Sequence, residues 1–453
     1  MGEKRYVVMG AGEVGFYLAQ TLSQQGHDVA VIELDPAREA RIEEELDVMV
    51  VPGNGAHPHV LQAAGVAECE LFMAVSSSDD ANLSAAALAK HFGADRAVVR
   101  LGVAEEVVTY RRDLEEVFSV DLLLSTQLLT TTRVLNEILG HNTVAVEYLA
   151  GGQVQLRKLH LDESSPLVQK PLRDVNLPRD SVVVAFFRGN ELVIPGGDDL
   201  AQVGDDALIL GTAAVIENAE LAAASVQRKI GTVVIAGGGG GTGRAVARRL
   251  EPLDIRIKMI ERDKQRAQGL AKMFPKIEII HGDITDISLL KAERINQAET
   301  FVALSGNEES NLMASLLAQE IGVPQVLALV HRAETSELWH RLGLKQVISP
   351  RTLAAERIQE YIDSGYSANI VSLQRGQAQV LERRLAKASP AVGVTLGEMK
   401  PPRGVLVGAV KRDDRVFVPT GNDRLEEGDL VIIFAAEDEL DTVRLLFPGP
   451  RHQ

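Results

Sequence analysis

Apolar positions in the first 123 residues fall into short runs, separated by stretches in which they recur every three or four places. YVVMG, DVAVIEL, DVMVVPG, LFMAVSS, RAVVRL and VDLLL read as strands, with helices expected over 15–25, 36–45, 80–91 and 103–114. Strands alternating with helices of this length predict βαβ units around a parallel sheet, because parallel neighbours need a crossover. Residues 124–140 read as one long helix leaving this domain. From 144 to about 212 the texture changes to short alternating runs (VAVEYL, GQVQLRKLHL, SVVVAFFRG, NELVIPGG, DALILG) broken by Gly, Pro, Asn and Asp. That pattern predicts a small, mostly β module. AVIENAELAAASVQ then reads as a helical spacer.

The same order recurs. VVMGAGEVG near the start is answered by VVIAGGGGGTG after residue 230, and Gly15/Gly243, Leu22/Leu250 and Glu33/Glu261 all lie 228 apart. AVSSSDDANL at 74–83 reappears as ALSGNEESNL at 303–312, an offset of 229, so one residue is inserted between the two landmarks. GNGA at 53–56 answers GDIT at 282–285. Residues 231–349 read as a second βαβ domain, LAAERIQEYI as its exit helix and 368–436 as a second β module. PGGDDLAQVGDDALIL at 195–210 matches PTGNDRLEEGDLVIIF at 419–434, 224 residues on. The expectation is an α/β chain of two Rossmann-like parallel-sheet domains (1–123 and 229–350), each followed by a linker helix and β module (124–228 and 351–453).

Composition narrows the function. A chain of 453 residues exceeds the roughly 250–300 at which single cores stop growing, so several domains are expected. Against 47 Lys and Arg stand 63 Asp and Glu, a formal charge of −16, which argues against nucleic acid and against adhesion to anionic lipid. A lone cysteine, Cys69, cannot form an internal disulfide. No apolar run approaches the roughly 18 residues a spanning helix needs, and MGEKRYVV enters a strand without an apolar leader, so a cytoplasmic protein is expected.

Two glycine loops carry the candidate chemistry. A pyrophosphate needs backbone N–H groups aimed at it and a helix N-terminus beneath it, which favours residues without a Cβ where the chain turns. Gly10, Gly12 and Gly15 follow an apolar strand and open a helix, and Glu33 closes the second strand, where a carboxylate reaches ribose hydroxyls and repels a 2′-phosphate. The site thus favours NAD(H) or an adenosine nucleotide over NADP. In the second copy five consecutive glycines leave two registers, Gly237/Gly239 or Gly238/Gly240, of which only the latter puts Gly243 in third place; Arg262 beside Glu261 leaves NAD against NADP undecided there. Further ligand-facing loops lie at the carboxyl ends of strands: residues 53–57, including Asn54, residues 76–79, and Arg100, whose counterpart is Leu329. Ser76 and Ser77 suit phosphate or ribose, or equally a helix cap, and Arg100 a phosphate or an ion pair.

Other motifs are missing. The sequence has no GK[ST], no zinc-type His/Cys spacing and no GxSxG, and its close histidine pair, His57 and His59, reads as packing or hydrogen bonding. Asp198, Asp199, Asp205 and Asp206 could gather round an effector ion, but read better as solvated turn carboxylates. The β modules show no acid–base constellation that would serve a dehydrogenase. No enzyme and no metal site are expected, with an NAD-dependent oxidoreductase as the alternative.

GAGEVG at 10–15, VIELD at 31–35, GNGAHP at 53–58, AVSSSDDAN at 74–82 and the second glycine run with ARRLE at 247–251, set in this tandem order, resemble the double RCK (regulator of K⁺ conductance) family, over essentially the full length. The resemblance is to NAD-binding regulatory subunits of bacterial Trk-type potassium uptake. It implies nucleotide contacts, with NAD(H) or ATP/ADP, at Gly10, Ala11, Gly12, Glu13, Val14, Glu33, Ser76, Ser77 and Arg100, and at Gly237, Gly238, Gly239, Gly240, Gly241 and Glu261. The family's second loop usually carries an asparagine; here Gly240 stands in that place and the run is one residue longer. The resemblance further implies a ring, typically a homo-tetramer, peripheral on the inner face of the membrane beneath a TrkH-like potassium-translocating subunit.

Overall fold

The computed structural model describes residues 4–139, 153–223 and 231–448, apart from 103, 190, 213–214, 254, 331–332, 364–369, 374–376 and 414. VAVEYL at 144–149 and the end of the predicted spacer lie outside the described residues. The chain divides into two compact units, each drawn from both halves: residues 1–138 with 230–363, and 139–229 with 364–453.

The first unit holds two parallel six-stranded sheets. In the first, β1 (Arg5–Met9), β2 (Asp28–Glu33), β3 (Met49–Pro52), β4 (Leu71–Ala74), β5 (Arg96–Leu101) and β6 (Leu122–Ser125) take the order β3-β2-β1-β4-β5-β6. The order reverses between β1 and β4, and at such a switch point the strand ends open a crevice for ligand. Helices α1 (Glu13–Gln24), α2 (Pro36–Glu45), α3 (Pro58–Ala63), α4 (Asp79–His91) and α5 (Ala104–Val117) make the crossovers. α6 (Thr126–Leu139) follows β6 directly. The central strands read as continuous apolar runs because both faces are covered, and Val7, Ala30, Phe72, Ala74, Ala97 and Val99 share one core with Ala85, Ala86 and Ala89 of α4. α3 was not expected from periodicity; six residues are too few to show it.

In the second unit, β7 (Val154–His160), α7 (Pro166–Gln169), β8 (Ser181–Arg188), β9 (Glu191–Val193), β10 (Asp206–Thr212) and α8 (Ile216–Ala223) form the first module, with sheet order β7-β10-β8-β9. α8 is more than the predicted spacer: Ile216, Ala219 and Ala223 are buried against Leu159, Phe186 and Ile209 of the sheet.

The second Rossmann-like domain repeats the first with β11 (Thr232–Ala236), α9 (Gly241–Leu250), β12 (Arg256–Glu261), α10 (Lys264–Met273), β13 (Glu278–His281), α11 (Ile287–Ala292), β14 (Thr300–Ala303), α12 (Glu308–Glu320), β15 (Gln325–Leu329), α13 (Ala333–Arg341) and β16 (Gln346–Ile348), in order β13-β12-β11-β14-β15-β16. Its exit helix, α14 (Pro350–Asp363), packs on α1 of the first half. Reciprocally, the carbonyl and carboxylate of Glu137 in α6 accept from Gln325 and Gln346 of the second half, each at 2.8 Å. Each exit helix thus engages the opposite Rossmann domain.

The second β module is a five-stranded sheet of β17 (Ile370–Leu373), β18 (Ala378–Arg384), β19 (Val405–Arg412), β20 (Arg415–Phe417) and β21 (Leu430–Ala436), ordered β17-β18-β21-β19-β20, with short helices α15 (Leu396–Met399) and α16 (Leu440–Leu446). The two modules share a core in which Leu156, Val184, Leu208 and Leu210 of one meet Val380, Ala409, Ile432 and Phe434 of the other. Sheet faces that would otherwise expose large apolar patches bury each other.

Candidate nucleotide site

Gly10 ends β1 with φ +95°, and a Cβ there would lie 2.7 Å from the Cα of Ser76, beyond β4. Gly15, one turn into α1, could not carry a Cβ without colliding with the Gly10 carbonyl. These two glycines therefore serve close packing of loop, helix and neighbouring strand. Gly12 is different: nothing lies within 4 Å of a Cβ built on it. It caps α1 without any side-chain hydrogen bond, whereas Asp35, Ser78, Asp263 and Asn307 cap α2, α4, α10 and α12 through their side chains. No side chain caps the start of α1, so its N-terminus is a positively polarised helix end. Space and donors coincide where an anion would sit.

Glu33 is 6% exposed at the end of β2. Its Oε2 accepts from the Ala11 N–H at 2.5 Å, and its Oε1 from Leu34 and Asp35 at 2.8 and 3.0 Å. The carboxylate braces the glycine loop, and Oε2, which accepts one bond where Oε1 accepts two, keeps a lone pair to accept more. Asn54, after β3, closes its own turn by accepting from Ala56 at 2.9 Å. His57 and His59 are exposed and face one another, with ring centroids 5.8 Å apart, so they are surface groups rather than packing residues. Ser77 is exposed, and Ser78 supplies the cap of α4.

Asn82 organises the far wall. Wholly buried, it accepts at Oδ1 from the N–H and hydroxyl of Ser76 at 3.1 and 2.6 Å, and donates from Nδ2 to the carbonyls of Ser76 and Arg100. Sequence reasoning missed it as a site residue, although Asn311 repeats it at the 229 offset. Arg100 donates from Nε to the Thr126 hydroxyl and from Nη1 to the Ser76 carbonyl, both at 2.8 Å. Burial pulls its pKa down, nearby Asp79 opposes the shift, and the guanidinium of Arg351 adds to it. Arg100 therefore stays a cation but is poorly solvated, which favours an anionic ligand.

The second site keeps this frame with a different loop. Asn311 binds Ser305 and the carbonyl of Leu329 as Asn82 binds Ser76 and Arg100, and Glu261 accepts from Gly239 at 3.0 Å and from Asp263 at 2.8 Å. Both registers read from the sequence hold in part. On the strand side Gly237, with φ +77°, packs against Ser305 in the role of Gly10. On the helix side Gly240 caps α9 as Gly12 caps α1, and Gly243 packs against Gly238. Three residues, 10–12, join strand to helix in the first copy and four, 237–240, in the second, so one glycine is inserted. Gly241 starts α9, where a Cβ would meet Gln127 of α6 at 2.9 Å. Arg244 donates to the carbonyl of Gly239 at 3.0 Å, a latch the first copy replaces with Phe16. Arg262 is exposed and 3.9 Å from Asp283.

The aspartates of the first β module do not converge. Asp205, 1% exposed, takes Arg188 bidentately at 3.0 and 2.8 Å; Asp206 pairs with Lys158, Asp198 with Arg173, and Asp199 accepts from Gly196. Arg412 and Asp429 repeat the Arg188–Asp205 pair in the second module. Among the described residues no group of three or more His, Cys, Asp or Glu is placed to hold a metal.

Paired Rossmann sheets with glycine loops, and paired β modules, define a tandem RCK-type protein. Its fold matches the crystal structure of the GsuK RCK domain (TM-score 0.60, 16% identity, 97% of this chain and 94% of that one) and the GsuK channel bound to NAD (0.60, 17%, 98% and 79%). Residues 6–119 and 233–350 match the TrkA-N domain, and 156–222 and 380–447 the TrkA-C domain. The chain belongs to the TrkA family. It is 30% identical over 452 residues to "Trk system potassium uptake protein TrkA homolog 2" of Methanosarcina mazei, covering 97% of this chain and 99% of the relative. It is 28% identical over 440 residues to "Trk system potassium uptake protein TrkA" of Halomonas elongata, covering 96% of each.

Proposed function

We propose that the protein is a non-enzymatic, nucleotide-binding regulatory subunit of a potassium uptake system, acting from the cytoplasm on a TrkH-like membrane subunit. The observation that carries this reading is the uncapped start of α1 at Gly12, open to a ligand and framed by Glu33, Ser76 and Arg100. The names of the full-length relatives supply the potassium context. Among the described residues no helix is long and apolar enough to cross a membrane.

In this reading NAD(H) or ATP/ADP binds Gly10–Gly15, Glu33, Asn54, Ser76, Ser77 and Arg100, and the second copy offers Gly237–Gly241, Gly243 and Glu261. The segments 1–123, 124–228, 229–350 and 351–453 are the working division, and four chains, or a dimer of dimers, form the ring. A nucleotide shifts that ring only by its differential affinity for two arrangements. The exit helices, each seated on the opposite Rossmann domain, are the elements such a shift would move. Co-purification with a potassium transporter, followed by titration of ATP, ADP and NADH against its conductance, tests the proposal. Nucleotide-dependent conductance is expected; conductance indifferent to all three, or steady NADH turnover at 340 nm with a small substrate, would count against it.

A further inference from the structure

Arg351 opens the first turn of α14, the exit helix of the second half, yet its guanidinium is ion-paired with Glu13, the first helical residue after the Gly10–Gly12 loop of the first half. Its positive charge is also felt at Arg100. Three groups that the sequence scatters thus come near one another: the glycine loop that opens α1, a cation from the same domain and a cation from the other half. Glu13 is oddly placed for an anion site, since its carboxylate stands where a phosphate would come. Its pairing with Arg351 sets the two charges against each other.

The duplicated half makes the comparison internal. Gln127 holds the place of Arg351, with the same 224-residue offset as Ser125/Ser349, and its side chain sits by Gly241, the counterpart of Glu13. Leu329 holds the place of Arg100. The chain has therefore put arginine at both of these positions around the first loop and at neither around the second.

We infer that Arg351 is a phosphate-binding residue of the first site, supplied by the second half, and that it leaves Glu13 for the terminal phosphate of a nucleoside di- or triphosphate. Two guanidiniums beside a helix N-terminus match a dense, multiply charged phosphate group better than the two charges of a dinucleotide pyrophosphate. The exchange of partners would make the contact between α14 and α1 depend on the ligand's terminal phosphate, so that di- and triphosphates are told from NAD(H) at this loop. Because the Glu13 carboxylate must be displaced, its charge opposes binding while Arg351 favours it.

This rests on the nucleotide-site reading above, and calorimetric titration of the full-length protein with ATP, ADP and NADH separates the two. Arg351→Gln should weaken ATP and ADP by about 10- to 100-fold, the range of a lost charge-assisted hydrogen bond, while NADH changes by less than about threefold. Glu13→Gln breaks the same ion pair but should tighten ATP. A mere clamp between the halves would shift both variants in one direction, and a shared loss of melting temperature with unchanged or equally weakened ATP affinity would overturn the inference. If the wild-type protein binds none of the three ligands, the site reading itself falls and the inference with it. If it binds and Arg351→Gln binds ATP equally well, only the inference falls.

Discussion

Asn82 donates from its amide nitrogen to the carbonyl of Arg100 at 2.8 Å, tying the start of α4 to the end of β5 beneath the candidate phosphate wall. The same amide holds Ser76 through three further bonds, and Asn311 repeats the arrangement on Ser305 and Leu329. A leucine at 82 would fill the space but take from the part-buried Ser76 N–H and Arg100 carbonyl the amide that holds them. Asn82→Leu should therefore cost on the order of 3 kcal/mol. Chemical denaturation checks this, and Asn311→Leu should cost a similar amount by unfolding the matching wall of the second domain.

Gly10→Ala places a methyl against the backbone of Ser76 at a φ that L-residues avoid, so it should destabilise the first domain by about 2 kcal/mol or more. Gly237→Ala should do the same in the second domain, whereas Gly240→Ala, with its nearest neighbour 3.9 Å away, should leave the melting temperature close to that of the parent. Thermal melting of the three variants tests whether the strand-side register of the second loop is the shifted one.

The sheets, their longer crossover helices and the tandem order were legible because buried parallel strands and amphipathic helices leave strong periodicity, and because the repeat runs from Gly15/Gly243 to Leu83/Leu312 with one inserted residue. The inserted glycine was half visible: five identical residues carry no register, so only backbone contacts could divide Gly237 from Gly238 between two roles. Asn82 was quoted within a repeated motif yet read as helix, since its importance lies in which carbonyls it reaches. The swapped seating of α6 and α14 left no trace in periodicity. A helix shows which residues it will bury, not whose surface will bury them.

Arg100→Ala removes a guanidinium already held by Thr126 and Ser76, and should weaken ATP more than ADP, since extra phosphate charge gains more from it. Competition titrations give the ratio directly; an unchanged ATP/ADP ratio would remove Arg100 from phosphate sensing.

The Arg188–Asp205 and Arg412–Asp429 pairs read as structural clamps of the β modules, each an almost fully buried carboxylate under a bidentate guanidinium. Asp205→Ala removes the acceptor of Arg188 and of the Gln202 N–H and, with the guanidinium left partly open to water, should cost about 1–2 kcal/mol. Excess EDTA should leave the melting temperature unmoved, and a chelator-induced drop would show that an ion shares the module.

Burial in the first Rossmann core pushes the Cys69 thiol up to about 12, with the charge of Arg5 pulling weakly the other way. A raised pKa means that the folded state holds its proton more tightly than the unfolded one. The stability linked to it is complete below the ordinary thiol value near 9 and is lost as pH rises from there towards 12. Thiol reagents at pH 8 should accordingly label the native protein only at the rate of unfolding, and rapid stoichiometric labelling would contradict the buried placement.

The central claim is that the open start of α1 is a nucleotide site, and Gly12 tests it most directly because a Cβ there meets nothing within 4 Å. Calorimetric titration of NADH and ATP into the parent and into Gly12→Val, with melting curves of both, isolates ligand binding from folding. The expected result is a melting temperature within a few degrees of the parent and loss of the high-affinity binding step. Equal affinity in the two proteins would place the nucleotide elsewhere and contradict the account.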